Sequence, residues 1–138
     1  MKKNNFFIRR KLTYKISKNI LLSFKYAFRG IYYCFQTSRN FRIELFIAIT
    51  IFLLGIVFSL KLHEYIILLS TIFSVLILEL LNTSIESLVD LIVENKFNQL
   101  AKISKDCAAG SVLLASINSI FVACFIFIPK IKLLILNL

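Results

Sequence analysis

The chain has 138 residues and a mass of 16.0 kDa, which corresponds to a single domain. Apolar residues make up 59% of it and charged residues 17%, and its mean hydropathy is +0.83. This composition excludes a disordered or collagen-like chain, and a soluble domain of this size could not bury so much apolar surface. The sequence therefore predicts one integral membrane domain over residues 1–138.

The net charge of +10 is distributed unevenly along the chain. Residues 1–42 contain 11 of the 17 Lys and Arg residues and none of the 7 acidic residues. A basic segment of this kind binds either nucleic acid or an anionic membrane surface. Because aromatic and aliphatic residues are interleaved with these charges and long apolar runs follow, we expect a membrane surface and no nucleic-acid partner.

Helical spacing of the apolar residues between positions 5 and 36 predicts an amphipathic, basic surface helix over residues 1–36. A disordered basic tail explains residues 1–15 equally well. A polar break at 38–44 then precedes the first long apolar run.

Three apolar runs are close to the roughly 20 residues that a bilayer crossing requires. We predict membrane spans at about 43–60, at 65–81 with the helix continuing to 92, and at 107–128, where Pro129 ends the third helix. The sequence thus indicates an all-α membrane protein with an N-terminal amphipathic surface helix and three transmembrane helices.

The excess of Lys and Arg in the first 42 residues places the N-terminus in the cytoplasm. The loop at 61–64 is then external and the loop at 93–106 is cytoplasmic. Lys130 and Lys132, which follow the third span, oppose this assignment weakly.

The three cysteines, Cys34, Cys107 and Cys124, have neither metal-binding nor redox spacing. Cys107 and Cys124 fall in an apolar segment where a small side chain simply packs. We therefore expect free thiols.

The segment from Glu79 to Asp90 carries carboxylates within an otherwise apolar helix. At about 100° per residue, Glu79, Glu86 and Asp90 fall within roughly 40° of one another, with Asn82 and Thr83 beside them. Carboxylates on one face repel each other, and a Mg²⁺ ion with phosphate oxygens would offset that repulsion. A carboxylate without a metal could accept a hydroxyl proton. A solvated helix face explains Asp90 but not Glu79, which follows an apolar run.

A second cluster, residues 101–110, lies at the entrance to the third span and contains Lys105 next to Asp106. A lysine suits a polyphosphate, and an aspartate suits a metal ion or a ribose hydroxyl. An ordinary interfacial anchor explains the same residues. The chain has neither a GxxxxGK[ST] motif nor a kinase-type glycine-rich loop, so a nucleotide site here would differ from the known soluble types.

Two patterns together, Glu-x-x-Asn-[ST]-x-Ile-Glu-x-x-x-Asp at 79–90 and Ala-Lys-x-x-Lys-Asp-x-Ala-Ala-Gly at 101–110, resemble the small prokaryotic diacylglycerol kinase family, which includes undecaprenol kinases. The resemblance covers about residues 20–128. It implies a homotrimer in a bacterial cytoplasmic (inner) membrane, with active sites shared between neighbours. It also implies Mg²⁺-dependent transfer of the ATP γ-phosphoryl group to a lipid hydroxyl, with diacylglycerol as the expected acceptor and undecaprenol as the alternative.

The same resemblance implies roles for single residues. Glu79 matches the catalytic base, Glu86 matches a metal-binding glutamate that also touches the nucleotide, and Asn82 matches a residue near the lipid hydroxyl. The implied nucleotide-binding positions are Tyr26, Glu86, Asp90, Lys105 and Asp106.

Ser38 departs from the family pattern, which commonly has a second metal-binding glutamate just before the Asn-Phe stretch, here Asn40-Phe41. The Ser38 hydroxyl could act as a weak metal ligand at this position. Alternatively, Glu44 could approach the metal from one helical turn later.

Two functions from other classes are also compatible with a small membrane protein. A transporter or channel subunit would use Glu79 as an ion or proton site, but it would need polar residues throughout the bilayer depth, and runs 45–60 and 107–128 contain no charge. A structural membrane module leaves the carboxylates of 79–90 unexplained.

Overall fold

The computed structural model describes residues 20–94 and 96–136, and these residues form four α-helices. Their bounds are Ile20–Thr37 for α1, Arg39–Val57 for α2, Leu62–Val93 for α3 and Gln99–Leu136 for α4. In this part of the chain, α2, α3 and α4 are long and apolar enough to cross a membrane. The predicted all-α membrane fold is therefore confirmed. Residues 1–19 of the predicted surface helix lie outside the described residues.

A single residue, Ser38, separates α1 from α2. Its backbone is extended, with φ −87° and ψ 120°, and its hydroxyl accepts a hydrogen bond of 3.1 Å from the backbone N–H of Phe41. This is the N-cap arrangement, in which a serine oxygen satisfies an otherwise unpaired N–H group of the first helical turn. The predicted polar break at 38–44 is thus reduced to Ser38, because the cap allows α2 to begin at Arg39.

On the other side of this junction, backbone carbonyl groups at the end of α1 also have a hydrogen-bond partner. Arg42 Nη1 donates hydrogen bonds of 3.0 Å to the carbonyl oxygens of Phe35 and Gln36, in the last turn of α1. Carbonyl groups at a helix C-terminus lack intrahelical partners, and a cation suits the negative end of the helix dipole.

The turn between α2 and α3 depends on a left-handed residue. Ser59 has φ 49°, and around it Phe58 N donates to Leu54 O at 2.9 Å and Leu60 N donates to Gly55 O at 3.0 Å. These bonds satisfy the final carbonyl groups of α2 in the manner of a Schellman motif.

The connection between α2 and α3 lies at 58–61 instead of the predicted 61–64. The carboxylate of Glu64 accepts a hydrogen bond of 2.6 Å from the backbone N–H of Lys61, so that α3 begins at Leu62 and includes Glu64 in its first turn. An acidic residue at this position also complements the positive end of the helix dipole.

α3 and α4 pack side by side in antiparallel directions. Three pairs of side chains mark their register from one end to the other: Glu64 with Lys130 at 3.0 Å, Thr71 with Ser119 at 3.4 Å, and Asp90 with Lys105 at 2.6 Å.

α4 begins earlier than predicted, at Gln99 instead of residue 107. The reason is a cap at Asn98, whose Oδ1 accepts hydrogen bonds from the backbone N–H groups of Leu100 at 2.9 Å and Ala101 at 3.2 Å. The predicted loop at 93–106 therefore shortens to about five residues between Val93 and Gln99.

α4 also continues past Pro129 to Leu136, and the prediction that Pro129 ends the helix is wrong. Proline is tolerated within membrane helices because neighbouring groups can satisfy the backbone carbonyl that it leaves unpaired. The ion pair between Lys130 and Glu64 ties the turn that follows Pro129 to the beginning of α3.

The protein core is thin. Leu60, Leu68 and Phe127 are buried together near the α2–α3 turn, and Phe58 packs edge-on against the ring of Phe127 with 5.8 Å between centroids. Most other long apolar side chains of α2, α3 and α4 are exposed. Such a continuous apolar surface is typical of helices surrounded by lipid.

The helices differ in length in a way that positions the polar residues. At 1.5 Å per residue, α2 is about 28 Å long, close to the roughly 30 Å hydrocarbon core of a bilayer. α3 and α4 are about 48 Å and 57 Å long. Because α2 begins beside Glu79, about four turns of α3 project beyond the start of α2.

The left-handed turn residue generates a stability prediction. Ser59→Gly should stabilise the protein by about 0.5–1 kcal/mol, because glycine adopts a positive φ without the steric cost of a Cβ atom. Thermal unfolding in detergent measures the change. Ser70→Gly, a matched change at an exposed position within α3, should instead lower stability by about 0.5 kcal/mol. A lower melting temperature for Ser59→Gly would contradict the assignment of strain to this turn.

Candidate active site

The side chain of Glu79 is buried, with 2% of its surface exposed, although it lies on an apolar helix. Its Oε1 accepts a hydrogen bond of 2.6 Å from the hydroxyl of Ser38. A buried carboxylate is costly unless it is hydrogen-bonded, and Ser38 supplies this donor from a residue 41 positions earlier in the chain. The structure thus brings together two residues that the sequence singled out for different reasons.

Cys34 and Thr83 form a second link between α1 and α3. Cys34 is fully buried, and its Sγ lies 3.3 Å from Oγ1 of Thr83. Burial raises the pKa of the Cys34 thiol, and the negative charges of Glu79 and Glu44 raise it further. Cys34 therefore remains a neutral thiol that packs at the junction. It is a free cysteine, as are Cys107 and Cys124.

Asn82 lies one helical turn beyond Glu79. Its side chain is 6% exposed, and its Nδ2 donates a long hydrogen bond of 3.4 Å to Oε1 of Glu86. The amide oxygen Oδ1 of Asn82 is buried and has no hydrogen-bond partner among the described residues. Because an unpaired buried acceptor is unfavourable, this oxygen is suited to receive a hydrogen bond from a ligand hydroxyl.

The third polar pair lies further out, where α3 and α4 project beyond α2. Lys105 Nζ contacts Asp90 Oδ1 at 2.6 Å, and the two side chains remain 35% and 59% exposed. Asp106, Lys96 and Lys102 line the same open cavity of about 470 Å³. Three lysines around one cavity favour an anionic ligand, and the carboxylates beside them are suited to hydroxyl groups or a cation.

An apolar groove of about 170 Å³ lies between α2, α3 and α4. Its walls are mainly aliphatic side chains such as Ile47, Ile72 and Ile120, and Glu44 is its one charged wall residue among those described. Oε2 of Glu44 is buried without a hydrogen-bond partner. Sequence reasoning considered Glu44 only as a substitute metal ligand. Its position at the start of an apolar run was the available signal for a groove residue.

The hydrogen bonds described above do not join Glu79 or Glu86 to four of the expected positions: Tyr26, Asp90, Lys105 and Asp106. Tyr26 lies on α1, about three turns before Ser38, with the guanidinium of Arg29 5.9 Å from the centre of its ring. Asp106 lines the outer cavity with Asp90 and Lys105. Apart from Tyr26 on α1, the expected residues thus form an inner group at Glu79, a middle pair at Glu86 and an outer group at Asp90.

No group of three or more His, Cys, Asp or Glu side chains is placed to hold a metal ion in residues 20–94 and 96–136. Ser38, expected as a weak metal position, has its hydroxyl engaged by Glu79 and by Phe41 N. Glu86 is half-buried and offers one carboxylate, whose Oε1 makes only the 3.4 Å contact with Asn82. A single carboxylate fits a Mg²⁺ ion that arrives with phosphate oxygens, because Mg²⁺ commonly takes one or two protein carboxylates.

Comparison with known proteins links this geometry to a family. The sequence profile of the prokaryotic diacylglycerol kinases matches residues 25–127, which include the whole α3–α4 site. The chain is 42% identical over 127 residues to a diacylglycerol kinase of Synechocystis sp., covering 91% of this chain and 73% of the relative. It is 40% identical over 108 residues to an undecaprenol kinase of Bacillus subtilis, covering 78% and 87%.

A third relative, a diacylglycerol kinase of Haemophilus influenzae, is 31% identical over 97 residues, which is 70% of this chain and 81% of the relative. The matched residues extend from α1 to the last third of α4. The chain therefore belongs to the prokaryotic diacylglycerol kinase family, a family of lipid kinases.

Proposed function

We propose that this chain transfers the γ-phosphoryl group of ATP to the hydroxyl of a membrane lipid. Diacylglycerol is the leading acceptor, because the relative that shares 42% identity over 91% of this chain is a diacylglycerol kinase. Undecaprenol is the alternative, because the Bacillus subtilis relative is an undecaprenol kinase. Family membership favours this reaction over the transporter alternative.

The observation that carries the proposal is the buried Glu79 carboxylate at the level where α2 begins. The acyl chains of an acceptor lipid hold its hydroxyl near the edge of the hydrocarbon core. A base for that hydroxyl must therefore lie at the same depth. The position of Glu79 level with the start of α2, where Ser38 bonds its Oε1, supports such a depth. Glu79 is therefore the proposed general base, and the unpaired Oδ1 of Asn82, one turn away, is the proposed contact for the lipid hydroxyl.

The apolar groove supports a lipid acceptor. It has aliphatic walls from three helices, and Glu44 lies in its wall with an unpaired oxygen. Glu44 is also close enough to Glu79 for their charges to interact. A hydrocarbon chain that fills the groove would place its polar end beside these two carboxylates.

The middle and outer groups are the proposed nucleotide site. Glu86 lies about two turns, or roughly 10 Å, from Glu79 along α3. Asp90, Lys105 and Asp106 lie further out in the cavity of about 470 Å³. Tyr26 on α1 is the proposed border of the nucleotide. In the proposed arrangement, the acceptor hydroxyl lies at the lipid side, the polyphosphate at the aqueous side and the γ-phosphoryl group between them.

Glu86 is the residue proposed to hold Mg²⁺, together with phosphate oxygens of the nucleotide. When bound, the ion would neutralise polyphosphate charge, which phosphoryl transfer requires together with positioning. Lys105 provides a second positive charge. The ion pair with Asp90 keeps the ammonium group of Lys105 in the cavity.

The proposed assembly is a homotrimer in a bacterial cytoplasmic membrane, with the N-terminus in the cytoplasm. Asp90 and Lys105 are partly exposed, so a nucleotide or a neighbouring subunit could contact the outer group. The basic residues of 1–42 support the orientation.

Replacement of the proposed base provides the first test of the function. Purified protein is incubated with labelled ATP, Mg²⁺ and either diacylglycerol or undecaprenol in mixed micelles. Glu79→Gln should lower kcat by about 10²- to 10⁴-fold, the usual contribution of a positioned base, while ATP binding is retained. Glu94→Gln, at the exposed end of α3, is the matched control. Near-normal turnover of Glu79→Gln would exclude Glu79 as the base.

The proposed metal residue is tested by a Mg²⁺ titration of the same activity. Glu86→Gln keeps the shape of the side chain but removes a negative ligand, so the Mg²⁺ concentration for half-maximal rate should rise on the order of tenfold or more. Glu94→Gln should leave this concentration unchanged. An unaltered titration for Glu86→Gln would show that Glu86 does not bind the ion.

The proposed orientation is tested by labelling intact cells with a membrane-impermeant thiol reagent. In a chain whose three native cysteines have been replaced, His63→Cys should react from outside, because it lies in the first turn of α3 at the α2–α3 end. Lys96→Cys, at the opposite end, should react only after lysis. The reverse pattern would overturn the orientation.

A further inference from the structure

Ser38 is held from three sides at the junction of α1 and α2. Its backbone N donates to the carbonyl oxygen of Cys34 at 2.8 Å, and its hydroxyl oxygen accepts from Phe41 N at 3.1 Å. The same hydroxyl oxygen lies 2.6 Å from Oε1 of Glu79. The hydroxyl therefore has little freedom to point elsewhere.

The chemistry of the groups fixes the direction of the bond to Glu79. A serine hydroxyl has one proton and two acceptor lone pairs, and the N–H of Phe41 already uses one lone pair. Oε1 of Glu79 is the acceptor of this bond, so the Ser38 proton is donated to Glu79 at a separation of 2.6 Å.

The other oxygen of Glu79 has different surroundings. Among the described residues, no hydrogen-bond donor reaches Oε2, while Oε1 is occupied by Ser38. The carboxylate is thus oriented by one oxygen and leaves the other available.

We infer that Ser38 is a positioning residue for Glu79, whose hydroxyl fixes Oε1 so that Oε2 can take the proton of the acceptor hydroxyl. This role rests on the proposed lipid kinase function, and it replaces the expected role of Ser38 as a weak metal ligand. Ser38 acts through Glu79 and touches neither substrate. One lone pair of its oxygen is already used by Phe41 N, which leaves at most one for a metal ion.

The role predicts a specific kinetic pattern. Without the Ser38 hydroxyl, the Glu79 carboxylate can rotate. Small displacements of a catalytic group lower the reaction rate strongly. Ser38→Ala should lower kcat on the order of 10- to 100-fold, the effect of losing one hydrogen bond to a charged group. The KM for ATP and the Mg²⁺ concentration for half-maximal rate should remain unchanged. Ser38→Thr, which retains a hydroxyl and an N-cap oxygen, should restore most of the rate.

The experiment measures kcat, both KM values and the Mg²⁺ titration for these variants in mixed micelles. Thr37→Ala removes the adjacent hydroxyl, which donates within α1 to Tyr33 O at 2.8 Å, and should leave kcat unchanged. Ser38→Gly separates the lost donor from a lost cap, because glycine at an N-cap costs little helix stability. It should show the same fall in kcat as Ser38→Ala, with a melting temperature at or above that of Ser38→Ala, because only the donor to Glu79 is lost without a large N-cap penalty.

The possible results distinguish a failure of the proposed function from a failure of the proposed role of Ser38. If the native chain phosphorylates no lipid, the proposed function fails and the role of Ser38 fails with it. If the native chain is active and both Ser38→Ala and Ser38→Gly keep near-native kcat, the function stands and the positioning role is overturned. A raised Mg²⁺ requirement in these variants would also overturn it, in favour of a metal-binding role.

Discussion

The fold depends on the requirement that a carboxylate buried against apolar helices must receive a hydrogen bond. Glu79 obtains this bond from Ser38, and the same oxygen of Ser38 begins α2 by accepting from Phe41 N. One hydroxyl group therefore sets both where α2 starts and where it lies against α3. Cys34 and Thr83 add a second contact at the same level, so α1 is held to α3 beside the buried acid. Loss of the Glu79 partner would leave a polar group unsatisfied in a low-dielectric environment.

Along α3 the polar side chains become steadily more exposed. Glu79 and Asn82 are buried, Glu86 is half-buried and Asp90 is exposed. This order matches a reaction between a substrate held in lipid and a substrate dissolved in water. Because all four residues lie on one continuous helix, their separations are set by the helical rise and do not depend on loop conformation. In the proposed function, this helix would hold two chemically different substrates at a fixed distance.

Much of this arrangement could be predicted from periodicity and composition. Helical spacing placed Glu79, Glu86 and Asp90 on one face, and uninterrupted apolar runs indicated the three long helices. Helix ends were predicted less well because they depend on single hydrogen bonds: the caps at Ser38 and Asn98 begin α2 and α4 earlier than the polar composition indicated. The continuation of α4 through Pro129 reflects packing and the ion pair of Lys130, which local propensity does not contain.

The bond between Ser38 and Glu79 was beyond sequence reasoning for a different reason. It joins residues 41 positions apart, and nothing in either local pattern specifies the partner. The family resemblance marked Ser38 as a position without the expected carboxylate, where the hydroxyl could act as a weak metal ligand. The placement of Glu44 in the groove wall likewise required three helices to be assembled, because residues from α2, α3 and α4 form that groove.

The unequal helix lengths connect the site to bilayer thickness. α2 spans about 28 Å and starts directly after Ser38, the residue that bonds Glu79, so its N-terminal end lies level with the buried acid. α3 and α4 are longer than the hydrocarbon core is thick, so a thicker membrane would cover more of their polar turns. α2 is about as long as the core is thick, so it has no additional apolar turns to span a thicker membrane. Hydrophobic mismatch costs fractions of a kcal/mol per Å and is relieved by tilting or by local thinning of the bilayer. The acyl-chain length of the surrounding lipid therefore acts on the depth at which Glu79 meets the membrane surface.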